Sequence, residues 1–114
     1  RGEVVVLTFW ASYCGPCREA LQSAGTAVTA AGGDAAALGV SLDRDAARAS
    51  SVVDSLGLQF PSLLDHDQSV GRLYDVQHLP TTLLIDREGI VRGAWARETV
   101  PAEQLIEKIR EHQP

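Results

Sequence analysis

The chain has 114 residues, 45% of them hydrophobic and 22% charged, with a formal net charge of −5. That length suits one compact domain, 1–114, with a single core and leaves no room for a second. The ten lysines and arginines are scattered, without the basic stripe that nucleic acid or an anionic lipid surface needs, and no apolar run approaches the ~18 residues of a spanning helix.

The first predicted element is a strand over residues 3–9, β-branched and almost continuously apolar, as suits a central strand covered on both faces. Trp10-Ala11-Ser12-Tyr13 then leads into Cys14-Gly15-Pro16-Cys17. From Cys14 to residue 31, Ala20, Leu21, Ala24 and Val28 recur at helical spacing, and Gly32-Gly33 stops the helix. A second strand is predicted over 36–42. Asp43-Arg44-Asp45 opens a helix over 46–56, which Gly57 ends. A short extended piece at 62–64 and a short helix at 68–74 follow. Residues 81–86 read as a strand, Arg87-Glu88-Gly89 as a turn, and 90–96 as the returning strand of a hairpin. Pro101 opens a last helix running to His112. Parallel strands first and an antiparallel hairpin last predict a mixed α/β sheet with helices on both faces.

The tetrapeptide Cys14-Gly15-Pro16-Cys17 carries the chemistry. Its place after a strand puts one sulfur at a helix N-terminus and the other one turn inside. Unpaired N–H groups and the positive end of the helix dipole then favour a Cys14 thiolate, the attacking species in disulfide exchange. A purely structural disulfide is the plainer alternative, but a staple across so short a loop removes only roughly 2 kcal/mol of chain entropy, against more than about 4 for a long loop. Half of a zinc site is another; the sequence offers no second cysteine pair or nearby Cys/His cluster to complete four ligands.

With these elements placed, the chain resembles the thioredoxin superfamily, and within it the TlpA/ResA-like extracytoplasmic thiol-disulfide oxidoreductases. The motifs that carry the resemblance are Phe9-Trp10-Ala11-Ser12-Tyr13-Cys14-Gly15-Pro16-Cys17-Arg18 and Leu79-Pro80-Thr81-Thr82-Leu83-Leu84-Ile85-Asp86-Arg87-Glu88-Gly89. Phe60-Pro61-Ser62-Leu63-Leu64-Asp65 and Tyr74-Asp75-Val76 resemble the short αβ insertion that separates this subgroup from plain thioredoxin.

The resemblance implies a thioredoxin fold and an enzyme that needs no cofactor or resident metal. Cys14 would be the attacking thiol and Cys17 the resolving one. Pro80 would follow a cis peptide bond and face the cysteines, with the Leu79 backbone offering hydrogen bonds to an extended substrate strand. Trp10, Tyr13, Gly15 and Pro16 would complete the substrate surface, although ordinary packing serves equally well for Trp10. The resemblance further implies a monomer in the bacterial periplasm, or on the outer face of the cytoplasmic membrane, that reduces protein disulfides. Its electrons would come from a membrane thiol donor, and its substrates would belong to cytochrome c or copper-site assembly. A chain without methionine that begins at Arg1 reads as a processed or trimmed piece, with any signal peptide or anchor upstream.

Departures from the pattern are informative. Thioredoxin itself carries a buried Asp where this chain has Thr8, so the acid that helps deprotonate the resolving cysteine is missing there. Asp43 and Asp45 follow the second strand, where helix capping is the simplest reading. His78 stands two residues before Pro80, a place resembling the copper ligand of Sco-type chaperones. Cys14, Cys17 and His78 together would suit Cu(I), which makes a copper(I) chaperone the rival reading; a rim histidine is the plain one. A peroxiredoxin-like peroxidase is a second rival, but the chain lacks a Pro-x-x-x-Thr-x-x-Cys run.

Overall fold

In the computed structural model, which describes residues 2–113, the elements fall in the expected order: β1 (Val4–Trp10), α1 (Gly15–Ala31), β2 (Ala35–Ser41), α2 (Ala46–Leu56), β3 (Ser62–Leu64), α3 (Ser69–Leu73), β4 (Thr81–Ile85), β5 (Val91–Ala96) and α4 (Ala102–Glu111). One five-stranded sheet has the order β3-β2-β1-β4-β5. β1 pairs in parallel with β2, and β2 with β3, while β4 runs antiparallel to β1 and to β5. The apolar run of β1 is explained by this central place, which takes water from both of its faces.

Alternate residues of β1 feed two cores. Val4 and Val6 pack with Ala24 and Ala27 of α1, Ala37, Leu84, and Leu105 and Ile109 of α4. Leu105 and Ile109 are fully buried, and each such side chain contributes about 1.5–3 kcal/mol of transfer free energy. On the same face, Trp10, Cys17 and Leu21 meet Ala49 and Val52 of α2. Leu7 and Phe9 point the other way, into a cluster with Val40 and Leu83. The segment after α3 covers that side, where the Tyr74 ring lies 5.8 Å from Phe9. Helices therefore stand on both faces.

Element ends shift by a residue where local chemistry decides. Gly32 ends α1 with φ of 63°, and Gly57 ends α2 in the left-handed region at 61°, conformations that a residue without a Cβ adopts at little cost. Pro101 is the residue just before α4 rather than its first. Asp86 leaves β4 to accept N–H bonds from Glu88 and Ile90, which makes the hairpin turn. At Gly39, a Cβ would come within 2.8 Å of Ser62 Oγ and 3.1 Å of Trp10 Nε1. Only glycine leaves room for the hydrogen bond that Trp10 Nε1 donates to Ser62 Oγ at 2.9 Å.

Candidate active site

The site lies where β1 runs out. The Trp10 carbonyl accepts the last ladder bond from Leu42 N–H at 2.8 Å, and a turn closes as Cys14 N–H bonds to the Ala11 carbonyl at 3.1 Å. Cys14 occupies the position before α1 in an extended conformation, and Pro16 sits in the first turn, where no intrahelical N–H is needed. Cys17 N–H returns to the Cys14 carbonyl at 3.2 Å. The two cysteines are joined as a disulfide with Cα atoms 5.4 Å apart, inside the ordinary range for such a bridge.

The two sulfurs occupy different surroundings. Cys17 has no exposed surface, and its neighbours are Trp10, Leu21, Ala49 and Val52. Cys14 is half-buried and packs only on the rim of that cluster. No acidic side chain stands in the first turn of α1, and no side chain caps its N–H groups. The partial positive charge of this 17-residue helix is thus left uncompensated beside Cys14.

A second wall comes from the residues before β4. The register pairs Phe9 with Thr81, so the next step along the sheet sets Pro80 opposite Trp10. The Leu79–Pro80 peptide bond is cis. Leu79 packs against the same cluster as Cys14 and Cys17, and Thr81 Oγ1 donates to the His78 carbonyl at 2.6 Å. Gly15, Pro16 and Tyr13 are exposed, Tyr13 at 73%. Trp10 is not part of this surface. With 1% exposure it takes the packing role, and its place among the candidate contacts is corrected accordingly.

A third wall was not anticipated. Beyond β5, Arg97 N–H bonds to the Pro80 carbonyl at 2.9 Å, and Thr99 Oγ1 donates to the Pro16 carbonyl at 3.3 Å. The segment 97–99 therefore ties the residues before β4 to the start of α1. Arg97 Nη2 lies 2.9 Å from His78 Nε2.

Asp43 is a further correction. Asp45 does cap α2, accepting from Ala47 N–H at 2.9 Å, but Asp43 is 3% exposed and caps nothing. Its carboxylate accepts Ser12 N–H at 2.9 Å, Ser12 Oγ at 2.6 Å and Ser41 Oγ at 2.6 Å. It fastens the loop two residues ahead of Cys14 to the end of β2. Thr8, on the α1 side of β1, is fully buried and lies directly opposite Thr82; neither hydroxyl has a partner among the described residues.

Comparison with known proteins agrees with this geometry. A family model described as the AhpC/TSA family matches residues 1–94. Thiol-disulfide oxidoreductase ResA of Geobacillus thermodenitrificans is 29% identical over 124 residues, covering 96% of this chain and 65% of its own length. The Bacillus subtilis ResA is 34% identical over 101 residues, covering 80% and 51%. The chain thus spans about two thirds or less of the curated relatives it matches. Among solved structures, a candidate thiol:disulfide interchange protein DsbE from Chlorobium tepidum superposes with a TM-score of 0.80 at 32% identity, covering 95% of this chain and 80% of that one.

Proposed function

We propose that this chain, which belongs to the AhpC/TSA family, is a thiol-disulfide oxidoreductase acting on protein disulfides. The observation that carries the proposal is the asymmetry of the Cys14–Cys17 pair. One cysteine is half-exposed at an uncompensated helix N-terminus, and the other is sealed beneath it. A structural staple needs no such difference, whereas exchange needs one sulfur that meets substrate and one that does not. The likeness to the ResA proteins points the same way.

In the reduced protein the Cys14 thiolate attacks one sulfur of a substrate disulfide. A mixed disulfide forms, and the other substrate sulfur leaves as a thiolate that takes a proton. Cys17 then gives up its proton and attacks the Cys14 sulfur. The Cys14–Cys17 bond closes and the second substrate thiol departs. The substrate has gained two electrons and two protons. An external dithiol must return them to the enzyme, and a membrane thiol carrier outside the cytoplasm fits that role. Leu79 forms one side of the substrate surface, with the fully buried Pro80 side chain behind it rather than on it, and Tyr13, Gly15 and Pro16 form the other. The Gly-Pro dipeptide favours the reducing end of the range, near the thioredoxin value of about −270 mV rather than the DsbA value of about −120 mV. Substrates in cytochrome c or copper-site assembly and a monomeric state complete the reading.

Two contacts weigh against the copper(I) chaperone. His78 Nε2 is already occupied by Arg97 Nη2 at 2.9 Å, and Cys17 offers no surface to an incoming ion.

Trapping tests the proposal. Reduced wild type should reduce insulin disulfides, and Cys17→Ser should retain substrate as a mixed disulfide on Cys14, located by peptide mass mapping. A glutathione titration should place the potential at or below about −220 mV. Substrate held on Cys17 in Cys14→Ser would reverse the roles, and wild type inert toward insulin would remove the reading.

A further inference from the structure

We propose that Arg97 selects substrate disulfides whose cysteine is flanked by an acidic side chain. The inference rests on the exchange reading above and adds a specificity residue to it.

Arg97 is placed with care. Its φ is 68°, in the left-handed region that suits glycine or asparagine and that other side chains enter seldom. The backbone is held there by the N–H bond to the Pro80 carbonyl. Two residues on, Thr99 bonds to the Pro16 carbonyl. The chain therefore crosses from the Leu79–Pro80 segment to the start of α1, next to Cys14, and its exposed Arg97 side chain reaches His78, two residues before Pro80. A long cation at a backbone position that prefers glycine calls for a reason outside the backbone.

The charge is also free to act. Arg48 is paired with Asp45 and Arg92 with Asp86. Among the described residues Arg97 has no carboxylate within ion-pair distance, and the neighbouring Glu98 is exposed and unpaired. Its one side-chain partner is His78, which brings no negative charge to cancel that of the guanidinium. The remaining donors of the planar fork stay open, in a geometry that matches a carboxylate. In a chain with net charge −5, Arg97 joins Arg18, which follows Cys17 and reaches the Ser12 carbonyl, as a cation near the cysteines, and the Glu-to-Lys comparison isolates its share.

The test uses two disulfide-linked peptide dimers that differ only in having Glu or Lys beside the cysteine. Second-order rates with reduced protein are measured at low ionic strength, and the readout is the Glu-to-Lys rate ratio within each variant. A general loss of activity or folding cancels in that ratio. From wild type to Arg97→Gln the ratio should fall about ten-fold, since one screened charge acts with opposite sign on the two peptides. Arg97→Lys should keep most of it, Arg97→Glu should lower it further, and about 1 M salt should erase the difference. A ratio that stays within about two-fold across wild type, Arg97→Gln and Arg97→Glu overturns the inference while leaving the exchange reading intact. A wild type that reduces neither peptide removes the exchange reading and this inference with it.

Discussion

Asp43 offers the sharpest perturbation of the site's frame. Its buried carboxylate holds three donors: Ser12 N–H, Ser12 Oγ and Ser41 Oγ. Asp43→Ala strands all three, the Ser41 hydroxyl in a buried site and the two Ser12 donors at its half-buried edge. An orphaned buried donor costs about 1–3 kcal/mol; taking the low end because the Ser12 loop is half-buried and can relax, the loss should come to about 3 kcal/mol. Asp43→Asn keeps an acceptor and the shape while ending the charge assistance. It also relieves the desolvation of a buried charge, so its loss should be smaller, about 1 kcal/mol. Urea unfolding of both variants gives these values, and Ser12→Ala completes a double-mutant cycle with a coupling of about 1–2 kcal/mol. Native-state amide exchange at Ser12 should lose protection in Asp43→Ala ahead of global unfolding. Insulin reduction should drop by more than the unfolded fraction explains, because the loop that aims Cys14 is no longer pinned. Both variants lying within about 0.5 kcal/mol of wild type, with Ser12 exchange unchanged, would refute the clamp.

Two further outcomes concern the sheet and its hairpin. Thr8→Val replaces a partnerless buried hydroxyl with a methyl of the same size, so unfolding free energy should stay equal or rise, by up to about 1–2 kcal/mol; a loss beyond about 1 kcal/mol would show that the hydroxyl is satisfied in solution. Asp86 accepts from Arg92 Nε at 2.7 Å, and that bond, followed by the Ile90 N–H bond, lowers its pKa below the ordinary carboxylate value. Its contribution is therefore present above the unfolded pKa of about 3.9 and fades as pH falls through the lower folded value. Asp86→Asn should be less stable than wild type at neutral pH, with the gap closing in strong acid. Urea midpoints measured from neutral pH into strong acid check this, and a gap independent of pH would contradict it.

Much of the fold was legible because it is written in local patterns. The uninterrupted apolar run of β1, the helical spacing behind Cys17 and the glycines after α1 and α2 each report on a few neighbouring residues. The site was legible only where a motif is contiguous. Cys14-Gly15-Pro16-Cys17 and Leu79-Pro80 announce themselves. Arg97 and Thr99 do not, since their partners lie 17 and 83 residues away in sequence. Asp43 misled for a related reason. An Asp just before a helix reads as a cap, and Asp45 does cap α2. Nothing local shows that the residue two places earlier turns inward to meet Ser12 across a separation of 31 residues. Trp10 carried two readings that composition alone could not divide. Gly39 is the sequence signal that divides them, because a residue without a side chain beside Ser62 leaves the space an indole needs.

The same contrast bears on how the site works. The groups beneath Cys14 are fixed by burial: Cys17 and Trp10 are sealed, and Asp43 is clamped to both serines. The groups around it are exposed: Tyr13, Pro16, His78 and Arg97. A thiol that must meet many geometries of substrate disulfide gains from this division. The rigid floor keeps the Cys14 to Cys17 distance short, so that once a mixed disulfide forms, closure is intramolecular and competes well with escape. On the proposed reading, the rim selects which disulfides react. Changes to the floor should therefore alter the rate of closure for every substrate, whereas changes to the rim should alter the ranking of substrates. A pair of variants, Asp43→Asn and Arg97→Gln, separates the two. Asp43→Asn should slow the Glu and Lys peptides by the same factor, and Arg97→Gln should move their ratio. If Asp43→Asn shifts the ratio as far as Arg97→Gln does, floor and rim are one coupled unit and the division fails.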